Sequence, residues 1–144
     1  MSENQKKIWI TGASSGIGKS LAEKFALEGW KVAVSARRKE ILDKMASNEN
    51  ISSYPLDVTN QDQINEVFTK IISDFKNIDL CVFSSGTYDP KLEQEINIKQ
   101  NKFVMETNFF GVLYCIKSVE KYFKDKKEGH ISIVSSIAAY RGLP

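Results

Sequence analysis

Histidine is nearly missing from the chain. His130 is the one example in 144 residues, and a single imidazole without partners offers neither a metal site nor a proton relay. Cysteine is almost as scarce. Cys81 and Cys115 lack metal-ligand spacing and sit in apolar segments, so they read as reduced core residues of a cytoplasmic protein, with no metal site. No apolar run approaches the ~20 residues that a membrane span needs. Met1–Lys7 is polar with no apolar stretch behind it, so no secretion signal is expected. The net charge is only +2, too small to suggest a nucleic-acid partner. The basic run Lys121–Lys127 reads as a solvated helix end.

What is present is an ordinary globular composition, 42% apolar and 26% charged, of a length that fits one domain over residues 1–144. Strand-like and helix-like stretches alternate without internal repeats. Lys7–Thr11 is a short apolar run leading into glycine-rich sequence. Ile17, Leu21 and Phe25 then recur at helical spacing until Gly29. Val32–Ala36 is the second strand, Lys39–Ala46 a charged helix and Ile51–Leu56 a weaker third strand. Ile64, Val67, Phe68, Ile71, Ile72 and Phe75 form a helical stripe with Asn60 as its N-cap. Leu80–Phe83 and Ile131–Val134 are strands four and five. Tyr88–Gln100 is polar and reads as an irregular surface excursion.

Apolar strands without clean alternation are usually covered on both faces, as in parallel sheets. Strand–helix–strand units of this length predict an α/β fold, a Rossmann-type doubly wound parallel sheet of order 3-2-1-4-5. The helix expected over Asn101–Lys124 has two apolar stripes. Val112, Ile116, Val119 and Phe123 make one; Phe103, Phe110 and Tyr114 make the other. The sheet can cover only one, so the second implies another helix or another subunit.

The stretch WITGASSGIGKS places Gly12, Gly16 and Gly18 between the first strand and the first helix. Glycine there allows a tight turn and close backbone approach, and the free N–H groups of a helix start favour a phosphate. This context inside a βαβ unit is what makes a glycine pattern credible. The spacing TGxxxGxG differs from GxGxxG and resembles the short-chain dehydrogenase/reductase family, over nearly the whole chain. The resemblance implies a dinucleotide held by Gly12, Ser14, Ser15, Gly16, Ile17 and Gly18. It implies adenine contacts from Asp57 and Val58, although an Asp in a turn before a helix has an equally good local explanation. In Phe83–Gly86 (FSSG) the family commonly has Asn-Asn-Ala-Gly. Gly86 matches, while Phe83 and Ser84 replace asparagines whose hydrogen bonds must be made differently or lost.

An acid at the end of strand two would favour a ribose 2′-OH and repel a 2′-phosphate. Ala36 stands there instead, followed by Arg37 and Arg38. Guanidinium groups bind phosphate with a multi-donor fork, which predicts NADP(H) over NAD(H). Asn108 is a poor helix-interior residue, explained locally by a kink with a bound water. The resemblance makes it, with Gly111 following, part of the active site, holding a water linked to a catalytic lysine. Ser135 and Ser136 end strand five, where open α/β sheets bind ligands. The resemblance selects Ser136 to hydrogen-bond the substrate carbonyl or alcohol.

The family's proton donor is the tyrosine of a Tyr-x-x-x-Lys helix, expected just past Pro144. Tyr140 is too close to Ser136, and Pro144 stands where its lysine would be. The expectation is therefore an N-terminal portion of a longer oxidoreductase that interconverts a carbonyl and an alcohol. These residues alone would bind cofactor weakly and not turn over, and homo-oligomerisation through 101–124 is expected. A dinucleotide-binding regulator or sensor on the same fold is the rival reading. An extended-branch epimerase or dehydratase is disfavoured by the loop spacing.

Overall fold

The computed structural model describes residues 5–88 and 96–141. Five parallel strands form one sheet in the order β3-β2-β1-β4-β5, as the alternation predicts. They are β1 (Lys7–Thr11), β2 (Lys31–Ser35), β3 (Ile51–Ser53), β4 (Leu80–Phe83) and β5 (His130–Ile133). The register aligns Thr11 with Ser35 on one side and with Phe83 on the other. The carboxyl ends of β1, β2 and β4 therefore finish level, which opens a shared crevice.

Because strand side chains alternate, β1 sends Ile8 and Ile10 to one face and Trp9 to the other. Ile8 and Ile10 meet helices α1 (Gly16–Leu27) and α2 (Lys39–Met45), through Ala22, Ala26, Leu42 and Met45. Trp9 stacks on Phe68 with ring centroids 5.6 Å apart and meets Phe83 edge-on. Phe68 belongs to α3 (Gln61–Phe75), whose Asn60 cap accepts a 3.0 Å hydrogen bond from the Gln63 amide. Ile64, Phe68, Ile71 and Phe75 are its buried stripe. Burying such side chains contributes about 1.5–3 kcal/mol each.

Several expectations change in detail. β3 is shorter than expected, although the Tyr54 and Leu56 amides continue the bonding to the Val34 and Ala36 carbonyls. β5 is not covered on both faces: it is the sheet edge, and Ile133 is 51% exposed. In the Tyr88–Gln100 excursion, residues 89–95 lie outside the described residues, and a helix already begins at Ile98. Asn97 caps this α4 (Ile98–Met105), accepting from the Gln100 amide at 3.0 Å. The single helix expected over Asn101–Lys124 is α4, then a π-helical turn Glu106–Phe110, then α5 (Gly111–Lys126). Cys115 and Val119 on α5 are fully buried, whereas Phe103, Phe109, Phe110 and Leu113 remain exposed. Lys126 is no solvated helix end: it pairs with Asp79 at 3.0 Å and donates to the Ile78 carbonyl. Among the described residues no helix is long and apolar enough to cross a membrane, and no His, Cys, Asp and Glu cluster could hold a metal.

Candidate active site at the carboxyl ends of the strands

The bend after β1 is pressed against the end of β4. Gly12 has φ +69°, and a Cβ on it would lie 2.6 Å from the Ser84 carbonyl oxygen and 2.7 Å from the Ser85 nitrogen. Both contacts are backbone, so a side chain there has no room and a left-handed conformation to bear. Gly18 is packed the same way, on the Gly12 carbonyl and Ser84 Oγ. Gly16 differs. It has φ +53° with nothing within 4 Å of its would-be Cβ. Ser15, the residue before α1, makes no side-chain cap bond, so the leading N–H groups of the helix are left to face the crevice.

That crevice is a cleft of about 370 Å³, lined by Gly12, Ser14–Gly18, Ala36–Arg38, Leu56–Val58, Ser84–Gly86 and Thr107. Its volume lies toward the small end of ligand sites. Every cofactor-binding residue expected from the sequence is among the lining: Gly12, Ser14, Ser15, Gly16, Ile17, Gly18, Arg37, Arg38, Asp57, Val58 and Gly86.

The two arginines are not equivalent. Arg38 reaches back across the bend, donating to Ser14 Oγ at 2.9 and 3.1 Å and to Ser15 Oγ at 2.7 Å. A cation is thereby held against the glycine-rich bend. Arg37 lies over the Phe103 ring of α4, its guanidinium carbon 5.8 Å from the centroid. Asp57 accepts from the Thr59 amide at 3.0 Å and the Thr59 hydroxyl at 2.9 Å, both at Oδ1. The turn explanation of Asp57 is therefore satisfied, yet Oδ2 is left without a partner among the described residues.

The departure in FSSG resolves by division of labour. Phe83 is fully buried in the core, and Ser84 Oγ donates to the Thr11 carbonyl at 2.8 Å. A serine hydroxyl thus ties the ends of β1 and β4 together.

Asn108 and Ser136 are outside the lining of this cleft. Asn108 sits in the π turn, a distortion that recurs at functional sites. Its Oδ1 accepts from the Thr87 amide at 2.7 Å and its Nδ2 donates to the Thr87 carbonyl at 2.8 Å. The side-chain amide thus ties the π turn to the backbone that follows Gly86. Ser136 is exposed on the loop after β5, and its Oγ accepts from the Ala138 amide at 3.1 Å, capping the short turn Ile137–Ala139. Cys81 and Cys115 are free and buried. Burial pushes both thiols up, Cys115 to about 12, so neither is a nucleophile.

Sequence reasoning did not assign Ala36, Leu56, Ser84, Ser85 or Thr107 as binding residues. The first four adjoin assigned positions or lie in the motifs and were within reach. Thr107 was not, because its place depends on how α4 and the π turn pack.

Residues 6–144 match the family model described as short chain dehydrogenase. The chain is 34% identical to Dehydrogenase/reductase SDR family protein 7-like of Dictyostelium discoideum, over 98% of this chain and 48% of that protein. It is 32% identical to 11-beta-hydroxysteroid dehydrogenase 1A of Arabidopsis thaliana, over 96% of this chain and 42% of that one. Among solved structures, ElxO with NADP bound is similar at a TM-score of 0.89 and 32% identity, covering 97% of this chain and 59% of ElxO. The chain spans about half the length of the curated relatives it matches.

Proposed function

This chain belongs to the short-chain dehydrogenase family, and on that premise we propose that it binds NADP(H) and serves hydride transfer between a carbonyl and an alcohol. The observation that carries the reading is the bend of residues 12–18, where added Cβ atoms would strike the end of β4 while Gly16 stays open. A cradle of this shape admits a pyrophosphate against backbone N–H groups. Arg38, held at the bend by Ser14 and Ser15, supports the 2′-phosphorylated cofactor. ElxO, with NADP bound, is a relative of similar fold.

The residues present fit the group. The backbone of 12–18 would hold the pyrophosphate, Arg37 and Arg38 the 2′-phosphate, Asp57 and Val58 the adenine, and Gly86 the ribose beside β4. When bound, NADPH supplies the hydride. Ser136 would polarise the substrate carbonyl by donating its hydroxyl hydrogen, which its bond with the Ala138 amide leaves free because Oγ accepts there. Asn108 would position the segment after Gly86 through Thr87. Tyr140 is 94% exposed, and among the described residues none is assigned as the acid that protonates the developing alkoxide.

The exposed aromatic side of α4 and α5 is read as the face of a homo-oligomer, since Phe103, Phe110 and Leu113 would otherwise stay in water. Two buried free thiols suit a reducing, cytoplasmic setting.

The direct test is titration of the purified protein with NADPH and with NADH. Saturable binding at least tenfold tighter for NADPH is expected. Equal affinities would remove the 2′-phosphate assignment, and no binding of either would overturn the proposal.

A further inference from the structure

Three cations lie over aromatic rings among the described residues. Lys6 meets Trp30 and Lys31 meets Phe75. These two lysines stand at the amino ends of β1 and β2, at the opposite end of the sheet from the cleft. The third cation is Arg37, over Phe103, and it alone of the three lines the cleft. Its neighbour Arg38 has its donors engaged by Ser14 and Ser15. Among the described residues the Arg37 side chain makes no hydrogen bond and no ion pair, and the ring of Phe103 is what meets its guanidinium.

Phe103 does not build the core. α4 buries none of its residues, and Phe103 is 37% exposed. Its ring can nevertheless do something for a cation that a carboxylate could not. A guanidinium stacked on a ring uses its flat face, and its five N–H donors lie in the plane and stay free. Stacking therefore fixes where the charge sits without occupying the donors that a phosphate needs. An unrestrained arginine would have to give up rotamer freedom when a ligand binds, which weakens binding.

Resting on the 2′-phosphate reading of Arg37 above, we propose that Phe103 is a positioning residue that sets the preference for NADP(H) by holding the Arg37 guanidinium at the cleft. NADPH and NADH differ only in the 2′-phosphate. A residue that acts through Arg37 therefore moves the ratio of the two affinities, whereas a residue that merely supports the fold moves both affinities together.

The test titrates NADPH and NADH against wild type, Phe103→Leu, Phe103→Tyr, Arg37→Ala and the Phe103→Leu, Arg37→Ala double variant. Leucine keeps an apolar side chain without the ring, and tyrosine keeps the ring. Phe103→Leu is expected to weaken NADPH about two- to fivefold, the worth of an exposed cation–π contact, with NADH unchanged. Phe103→Tyr should bind NADPH like wild type, and Phe103→Leu should add nothing once Arg37 is gone. If Arg37→Ala weakens NADPH and Phe103→Leu does not, the Phe103 assignment falls while the 2′-phosphate reading of Arg37 stands. Equal losses for both cofactors in Phe103→Leu, or a loss in Phe103→Tyr as large as in Phe103→Leu, would show a merely structural role and overturn it as well. Unchanged NADPH affinity in Arg37→Ala would defeat the reading on which the proposal rests, and wild type that binds neither cofactor would defeat the dinucleotide reading itself.

Discussion

Two substitutions of the same kind in one bend should have opposite consequences. In Gly12→Ala the new methyl would stand 2.6 Å from the Ser84 carbonyl oxygen and 2.7 Å from two further backbone atoms, at φ +69°. The left-handed conformation costs an L-residue about 1–2 kcal/mol. Forcing a methyl into packed backbone adds about 1–3 kcal/mol. Together these reach about 2–5 kcal/mol, a large part of the ~5–15 kcal/mol that holds a typical fold. For a chain of this size the melting temperature should fall by about 5–20 °C. Gly16→Ala has φ +53° and nothing within 4 Å, so only the conformational cost of about 1–2 kcal/mol applies and the melt should shift by a few degrees. Yet Gly16 lines the cleft, and a methyl there occupies the approach of a phosphate, so NADPH affinity should fall more than about tenfold, an energy of ~1.4 kcal/mol. Circular-dichroism melts and NADPH fluorescence titrations read the two effects separately. If Gly16→Ala melts as low as Gly12→Ala, the steric account of the bend is wrong. If it binds NADPH like wild type, the phosphate does not lie there.

Arg38→Ala should weaken NADPH about ten- to hundredfold, the range expected for a lost charge-assisted hydrogen bond, and NADH by less than about threefold; equal losses in parallel titrations would remove Arg38 from 2′-phosphate recognition. Asn108→Ala deletes both bonds to Thr87, about 0.5–1.5 kcal/mol each, and should speed hydrogen exchange at the Thr87 amide severalfold. Unaltered protection there would mean that the amide is not the clamp. The buried thiols set an alkaline limit. Cys115 titrates near 9 when unfolded and is pushed up to about 12 by burial. The unfolded chain therefore loses its proton first as pH rises, and stability is fully present below about pH 9 and declines above it, by ~1.4 kcal/mol per pH unit for one thiol. Cys115→Ala should decline less steeply between pH 9 and 11 in urea melts, and identical slopes would contradict the burial argument.

Much of the fold was legible along the chain because its causes are local. The 3.6-residue stripe of Ile64, Phe68, Ile71 and Phe75, the Asn60 cap, and apolar runs ending in glycine each declare an element within a short window. Alternation of those elements then leaves few topologies, and the order β3-β2-β1-β4-β5 is one of them. The bend of residues 12–18 was legible for the same reason: a strand, three glycines and a helix are neighbours in sequence.

Packing between distant segments settled the rest. Nothing near Thr107 announces that its hydroxyl is orphaned, because that depends on the π turn and on Gly111 meeting Val58. The adjacent arginines look alike in sequence, yet one meets Ser14 and Ser15 and the other lies over Phe103. Ser84 replaces an asparagine with a bond to a carbonyl 73 residues away. Periodicity and turn chemistry say which elements form and where a phosphate can lie. Which polar atoms find partners is a property of surfaces brought together from far along the chain, and those surfaces exist only once the sheet and helices have packed.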